Sequence, residues 1–225
     1  TVKGTLAAFA DAAARRLTLS SEVQDLTGNA AVVGFNRYGL GAKADVGLPA
    51  GALVFHDVQV SLREGTEPGG VVGLKGRWDT VRGAGTLNLT AQELNQAGLR
   101  PFLQAALGDK QLRSVRVNAD LGVKLDPAAD SSVKANASVT NLVVHDPAGA
   151  VPETPLAAGL AVDASGSKDK LSLRQAELRL SPTARARNAA ALSGDLDFSK
   201  PKALRGALQL TSESMDVTPY YDLFA

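Results

Sequence analysis

Alternation of apolar and polar residues is the feature that most constrains how this chain can fold. From Val115 to Leu125 every second residue is apolar, and the residues between them are Arg116, Asn118, Asp120, Gly122 and Lys124. Successive side chains of a β-strand point to opposite faces, so a period of two predicts a strand with one dry and one wet face. The pattern recurs from Val133 to Thr140 and from Leu156 to Ala164.

Most of the remaining chain also favours strands separated by turns. Turn signals such as Glu67-Pro68-Gly69-Gly70 and Asp126-Pro127 stand between the alternating segments. Sequential strands joined by short turns form a meander, so the sequence predicts an all-β, mainly antiparallel fold with residues 1–225 as one elongated region. The further predicted strands are Leu17–Val23, Ala30–Phe35, Ala42–Leu48, Leu53–Leu62, Val71–Trp78, Gly83–Leu89 and Ala184–Phe198.

Two segments do not alternate. The first, residues 90–108, combines a possible N-cap at Thr90 with apolar residues at mostly helical spacing, and predicts a helix that breaks near Gly98 and restarts around Pro101. The second, Ala7–Arg16, is rich in alanine and is a candidate for a short helix or for a lead into the first strand.

Composition excludes several classes of function. Lys and Arg number 24 against 23 for Asp and Glu, so no net charge attracts nucleic acid or an anionic surface. The chain has no cysteine, which removes thiol catalysis and disulfide frameworks, and no apolar run of the ~20 residues that span a bilayer. Because the sequence opens at Thr1 without a signal-like segment, we interpret it as a processed or truncated piece of a larger protein.

Catalytic and metal-binding motifs are not evident. The two histidines, His56 and His145, are each followed by Asp, but adjacent residues on a strand point to opposite faces, so neither pair forms a joint site. No serine lies in a Gly-x-Ser-x-Gly elbow, and no Asp-x-Asp-x-Asp-Gly loop is present. We therefore predict a protein that is not an enzyme and that carries no cofactor or metal.

One motif occurs twice. Leu87-Asn88-Leu89-Thr90 precedes Pro101-Phe102, and Leu208-Gln209-Leu210-Thr211 precedes Pro219-Tyr220. Gly-x-Leu-x-Leu strand openings and the strand Phe55–Leu62 accompany this motif. Together these features resemble the AsmA-like and TamB-like envelope proteins of didermic bacteria.

The resemblance implies a long sheet that curls lengthwise into a groove with an apolar lining. Its ligand would be phospholipid or another acyl-chain molecule carried between inner and outer membranes, in the periplasm, by a parent protein anchored in the inner membrane. Other envelope proteins are possible partners. The predicted cap of the groove is Leu99, Phe102 and Leu103, and the predicted lining is Val115, Val117, Leu121, Val123, Val133, Val139, Leu156, Leu160 and Val162.

Two alternatives remain open at this stage. Dry faces of β-strands commonly pack against each other as the core of a closed sandwich, and alternation alone does not distinguish such a core from an open groove. A chain of this kind is also compatible with a structural or adhesive β module that binds protein partners in the envelope or at the cell surface.

Overall fold

The computed structural model describes residues 3–12, 15–30, 33–149, 151–200 and 203–224, and all twelve strands among them belong to one open sheet. Each strand pairs antiparallel with the strand before it in the chain, so the all-β meander is confirmed. The strands are β1 (Lys3–Asp11), β2 (Arg16–Ala30), β3 (Val33–Gly47), β4 (Ala52–Glu64), β5 (Glu67–Asp79), β6 (Ala84–Asn95), β7 (Gln111–Leu125), β8 (Ser131–His145), β9 (Leu156–Gly166), β10 (Lys170–Leu180), β11 (Ala189–Asp197) and β12 (Arg205–Ser212). Two helices, α1 (Gln96–Leu107) and α2 (Thr218–Phe224), follow β6 and β12.

Several predicted boundaries are wrong. Residues 90–95 are the end of β6, and α1 begins only after Asn95, whose side chain accepts a hydrogen bond from the Ala97 amide at 2.9 Å as its N-cap. The helix then runs without a break through Gly98 and Pro101, although Pro101 is an interior residue and has no amide hydrogen to donate to the carbonyl four residues earlier. Strand β11 begins at Ala189, five residues after the predicted start at Ala184.

The N-terminal predictions also need correction. In place of a helix over Ala7–Arg16, strand β1 ends at Asp11 and β2 begins at Arg16, while residues 13–14 lie outside the described part. The predicted strand Ala30–Phe35 spans the change from β2 to β3, with residues 31–32 outside the described part. Its second half continues directly into the segment Ala42–Leu48, so the two predicted strands share β3.

The strand register aligns the dry faces across the whole sheet. One line of directly opposed residues, which we call the central row, contains one apolar residue from every strand. With strands ~4.8 Å apart, this row extends about 50 Å. Its members, in strand order, are Ala8, Leu19, Ala44, Val58, Leu74, Leu89, Leu121, Ala135, Val162, Ala176, Leu192 and Leu210.

The rows on either side repeat this chemistry. One runs from Ala10 through Phe55, Val123 and Val133 to Leu208, and the other from Ser21 through Val60 and Leu160 to Ser212. Neither contains a charged residue. We call the side of the sheet formed by these three rows the apolar face, and the opposite side the polar face.

The well-buried core lies at one end of the apolar face. We call this end the capped end. Helices α1 and α2 contact each other there, and α1 also contacts β3 to β7. Tyr220 of α2 accepts a hydrogen bond from the Ser181 amide at 2.8 Å and donates to the Ala157 carbonyl, which fixes α2 over β9 and β10. The buried cluster beneath the helices consists of Leu107, Leu112, Val115, Val144, Val151, Leu156 and Leu223.

A line of β-bulges runs across the sheet beside the capped end. The register shifts beside Asp25, Glu93 and Asn141, and each of these residues has a positive φ of 52–53°. A bulge bends its strand and increases the local twist. Such bulges interrupt the pairing of β2, β6 and β8 beside the end of the sheet where α1 contacts the five strands β3 to β7.

Helix α1 approaches the sheet through two glycines. A Cβ on Gly98 would lie 2.2 Å from the Gly69 carbonyl oxygen, and a Cβ on Gly69 would lie 2.5 Å from the Gly98 nitrogen and Cα. Backbone this close leaves no space for a methyl group on either side.

We therefore expect Gly98→Ala to push α1 away from β5 and to lower the free energy of unfolding by about 1–3 kcal/mol. Thermal or urea unfolding measures this change. Gly108→Ala is not a suitable control because Gly108 has a φ of 63°. Gln104→Ala, on the same helix, is suitable: it removes side-chain hydrogen bonds to the Gly108 and Lys110 carbonyls, and should cost less. Equal stability of Gly98→Ala and the unmodified chain would contradict the close docking.

Candidate functional site

The apolar face is open beyond the capped end. No second sheet of the described residues covers it, and large side chains on it are partly exposed, including Leu89 at 38%, Leu160 at 45% and Leu178 at 38%. A closed sandwich core would bury these residues. Large apolar patches that stay exposed in a folded protein are typical of interaction and ligand-binding surfaces.

The nine predicted lining residues divide into two groups. Val115 and Leu156 are buried in the cluster beneath the helices, and Val117 and Val139 pack against that cluster, so these four belong to the capped end. The other five lie on the open part of the apolar face. Those residues are Leu121, Val123, Val133, Leu160 and Val162.

The three predicted cap residues all lie on α1, at the capped end. Leu99 and Leu103 pack against the buried cluster. Phe102 is 51% exposed, and its ring meets those of Phe35 and Tyr38 edge-on, at centroid distances of 6.4 and 6.2 Å. The helix therefore covers one end of the apolar face with an aromatic group at its rim.

The opposite end of the apolar face, which we call the open end, holds a depression of about 460 Å³. This volume is within the range of small-molecule sites. Its apolar lining is Val123, Leu125, Val133, Ala164, Leu171 and Phe198, and Ser165, Ser167, Lys168 and Lys170 also border it. Phe198 and Leu171 lie outside β7–β9, so the alternation on which the predicted lining was based does not identify them as lining residues.

The polar face carries ion pairs between neighbouring strands. Hydrogen bonds from Arg16 hold the pKa of Asp45 below its usual range, and hydrogen bonding to Arg174 does the same for the pKa of Asp163. Lys134 also lies 3.5 Å from the Asp163 carboxylate. Exposed pairs of this kind add little stability, but they keep this face hydrated and thereby distinguish it from the apolar face.

Tyr38 anchors α1 at the rim of the capped end. Its side chain is 2% exposed, and its hydroxyl donates to the Gly98 carbonyl at 2.7 Å. The neighbouring Glu64 accepts a hydrogen bond from Arg100 of α1 at 2.5 Å. Burial and the Glu64 carboxylate raise the pKa of Tyr38 to about 12.

The raised pKa predicts a loss of stability at high pH. The folded state favours the neutral phenol, so this contribution is fully present below about pH 10, the unfolded pKa, and is lost as the pH rises toward 12. We expect the melting temperature to fall in this window, and the Tyr38 phenol to ionise late in an absorbance titration.

Tyr38→Phe should remove the late-ionising component and weaken the pH dependence. Tyr221→Phe, which changes a 71% exposed tyrosine, is the matched control and should leave the late component in place. A titration in which Tyr38→Phe and Tyr221→Phe give the same curve would contradict the assignment.

The histidines lie apart, on different strands. His56 is exposed on β4, with Asp57 3.6 Å from Lys75. His145 ends β8 and contacts Glu153, while the Asp146 carboxylate accepts from the amides of Ala148 and Val151 and holds the following loop. Within the described ranges, no group of three or more His, Cys, Asp or Glu residues is placed to hold a metal ion.

Neither described helix is long and apolar enough to cross a membrane. Comparison of the chain with family models, with curated proteins and with solved structures found no match. The candidate site therefore stands on its own geometry: an uncharged apolar face that crosses twelve strands, capped at one end and open at the other.

Proposed function

We propose that this chain is a non-enzymatic hydrophobic-groove segment of an AsmA-like envelope protein, which holds acyl chains during phospholipid transport between inner and outer membranes or during outer-membrane biogenesis. The observation that carries the proposal is the unbroken central row, from Ala8 to Leu210. The resemblance of the Leu-x-Leu-Thr and Pro-aromatic motifs supports the same family.

The side chains of the apolar face suit acyl chains. They are mostly Ala, Val and Leu, which are small or flexible enough to leave room above the sheet, and they offer no directional polar group that would select one position. Burying each methylene contributes about 0.8 kcal/mol, so affinity accumulates along the chain without a specific contact. A ligand held in this way can slide along the rows, from one strand to the next, at little cost.

The two ends of the face have different roles in this proposal. Helix α1 closes the capped end with Leu99, Phe102 and Leu103. Acyl chains are therefore held on the open part of the apolar face and not beneath the helix. The depression at the open end, where lysine and serine side chains border an apolar floor, accommodates the junction between a polar headgroup and its tails. In the proposal the protein acts in the periplasm, and its parent is anchored in the inner membrane.

Photo-crosslinking tests which face holds lipid. Leu160 and Ala161 are adjacent on β9 and lie on opposite faces. With a benzophenone amino acid at position 160, we expect a crosslinked phospholipid, because this side chain lies on the apolar face; at position 161 we expect background only. Equal crosslinking at both positions, or none at 160 with folded protein, would contradict the proposal.

A further inference from the structure

Strand β12 has an unpaired outer edge with few features that would prevent another strand from pairing with it. It is the last strand of the sheet, and within residues 203–224 no strand pairs with its outer side. All eight of its residues are exposed, including Leu208 at 48% and Leu210 at 67%. Its pairing with β11 contains no bulge, and its only charge is Arg205 at one end. Edge strands normally carry bulges, prolines or inward charges that prevent pairing, and β12 has none of these.

An internal repeat shows what fits such an edge. The segments Gly85–Thr90 of β6 and Gly206–Thr211 of β12 share Gly, Leu, Leu and Thr at the same positions, and each precedes a helix at the capped end. In the first copy the outer side of the strand is occupied. There Leu87 lies opposite Val123 and Leu89 opposite Leu121 of β7.

We infer that the free edge of β12 binds an extended, antiparallel segment with apolar residues at alternate positions, in the register that β7 adopts on β6. Leu210 would then lie opposite the residue equivalent to Leu121, and Leu208 opposite the equivalent of Val123. The added strand continues the apolar face and gives the exposed leucines of β12 the cross-strand partners that Leu87 and Leu89 already have.

The hydrogen-bond pattern of β12 indicates which amides the added strand would engage. The Glu213 amide donates to the Ala189 carbonyl, directly across the ladder. Because opposed pairs alternate between bonded and non-bonded, the amides of Ala207, Gln209 and Thr211 face β11, and those of Leu208 and Leu210 face outward. Binding is therefore expected to protect the Leu208 and Leu210 amides from hydrogen exchange.

The experiment uses the full chain and a labelled peptide with the sequence of residues 111–125. We expect saturable binding by fluorescence anisotropy, new protection of the Leu208 and Leu210 amides, and binding at least about tenfold weaker when Leu121 and Val123 of the peptide are replaced by lysine. Leu208→Pro removes an outward amide while keeping the ladder to β11, and should weaken binding about tenfold or more. Leu208→Ala, which loses the side chain and keeps the amide, should bind more tightly than Leu208→Pro.

Absence of binding up to about 1 mM, protection confined to other strands, or equal binding by Leu208→Pro and the unmodified chain would overturn the inference. Self-association without peptide that disappears in Leu208→Pro would support it, with a second copy supplying the strand. The phospholipid content of the same variants distinguishes this inference from the proposed function. Loss of peptide binding with unchanged lipid content would show that the edge of β12 binds the peptide independently of lipid held on the apolar face.

Discussion

Val144→Asp is expected to destabilise the fold severely, lowering the free energy of unfolding by at least about 4 kcal/mol. Val144 is 2% exposed and lies in the cluster that joins β7, β8 and β9 to both helices. An aspartate there places a carboxylate among apolar side chains, where it must either lose its hydration or displace the helices. Urea unfolding followed by circular dichroism measures the loss.

Val81→Asp is the matched control for this change. Val81 lies in the turn between β5 and β6 and is 83% exposed, so the same replacement there should alter stability by less than about 0.5 kcal/mol. If the two variants melted alike, the stability of the chain would not depend on the capped-end cluster.

Leu121→Asp is expected to have its largest effect on lipid, with less effect on folding than Val144→Asp. Leu121 occupies the middle of the central row, between Leu89 and Ala135, on the open part of the apolar face. A carboxylate at this position would contact acyl chains that cannot solvate it, so we expect co-purifying phospholipid to fall by at least about tenfold while a cooperative melt is kept.

Asn136→Asp provides the comparison for this variant. It also adds one negative charge, on the neighbouring strand β8, but on the polar face opposite Asp120. We expect its lipid content to match that of the unmodified chain. Equal lipid in both variants would show that the apolar face is not where lipid is held.

Much of the fold was accessible from the sequence, because alternation depends only on the pleat of a strand. The dry residues from Val115 to Leu125 and from Val133 to Val139 lie on one face, as their spacing predicts. Alternation does not indicate strand β10, because its register shifts between Leu173 and Ala176. Its apolar residues therefore change from odd to even positions. A bulge of this kind interrupts the period on which the prediction depends.

The limits of helix α1 and the openness of the face were less accessible. Thr90 resembles an N-cap, but residues 90–95 gain more from pairing with β7, and Asn95 caps the helix instead. Whether a dry face is a core or a surface depends on what packs against it, and that information lies in strand order and burial. Tyr38, Glu64 and Arg100 come together only through the fold, since no local pattern connects positions so far apart in sequence.

The two copies of the internal repeat occupy equivalent positions in the sheet but differ in their neighbours. Its two copies end on the same side of the sheet, and the helices that follow them contact each other. Because the first copy is covered by β7 and the second has no neighbour among the described residues, the difference between them identifies an interaction edge that neither copy reveals alone.

Native mass spectrometry of the chain purified from a bacterial envelope, followed by organic extraction, tests the central claim most directly. The open apolar face predicts at least one co-purifying phospholipid per chain, which is lost on extraction and is strongly reduced in Leu121→Asp. Folded protein of the bare polypeptide mass, with no lipid in the extract, would contradict the assignment of this face to acyl chains.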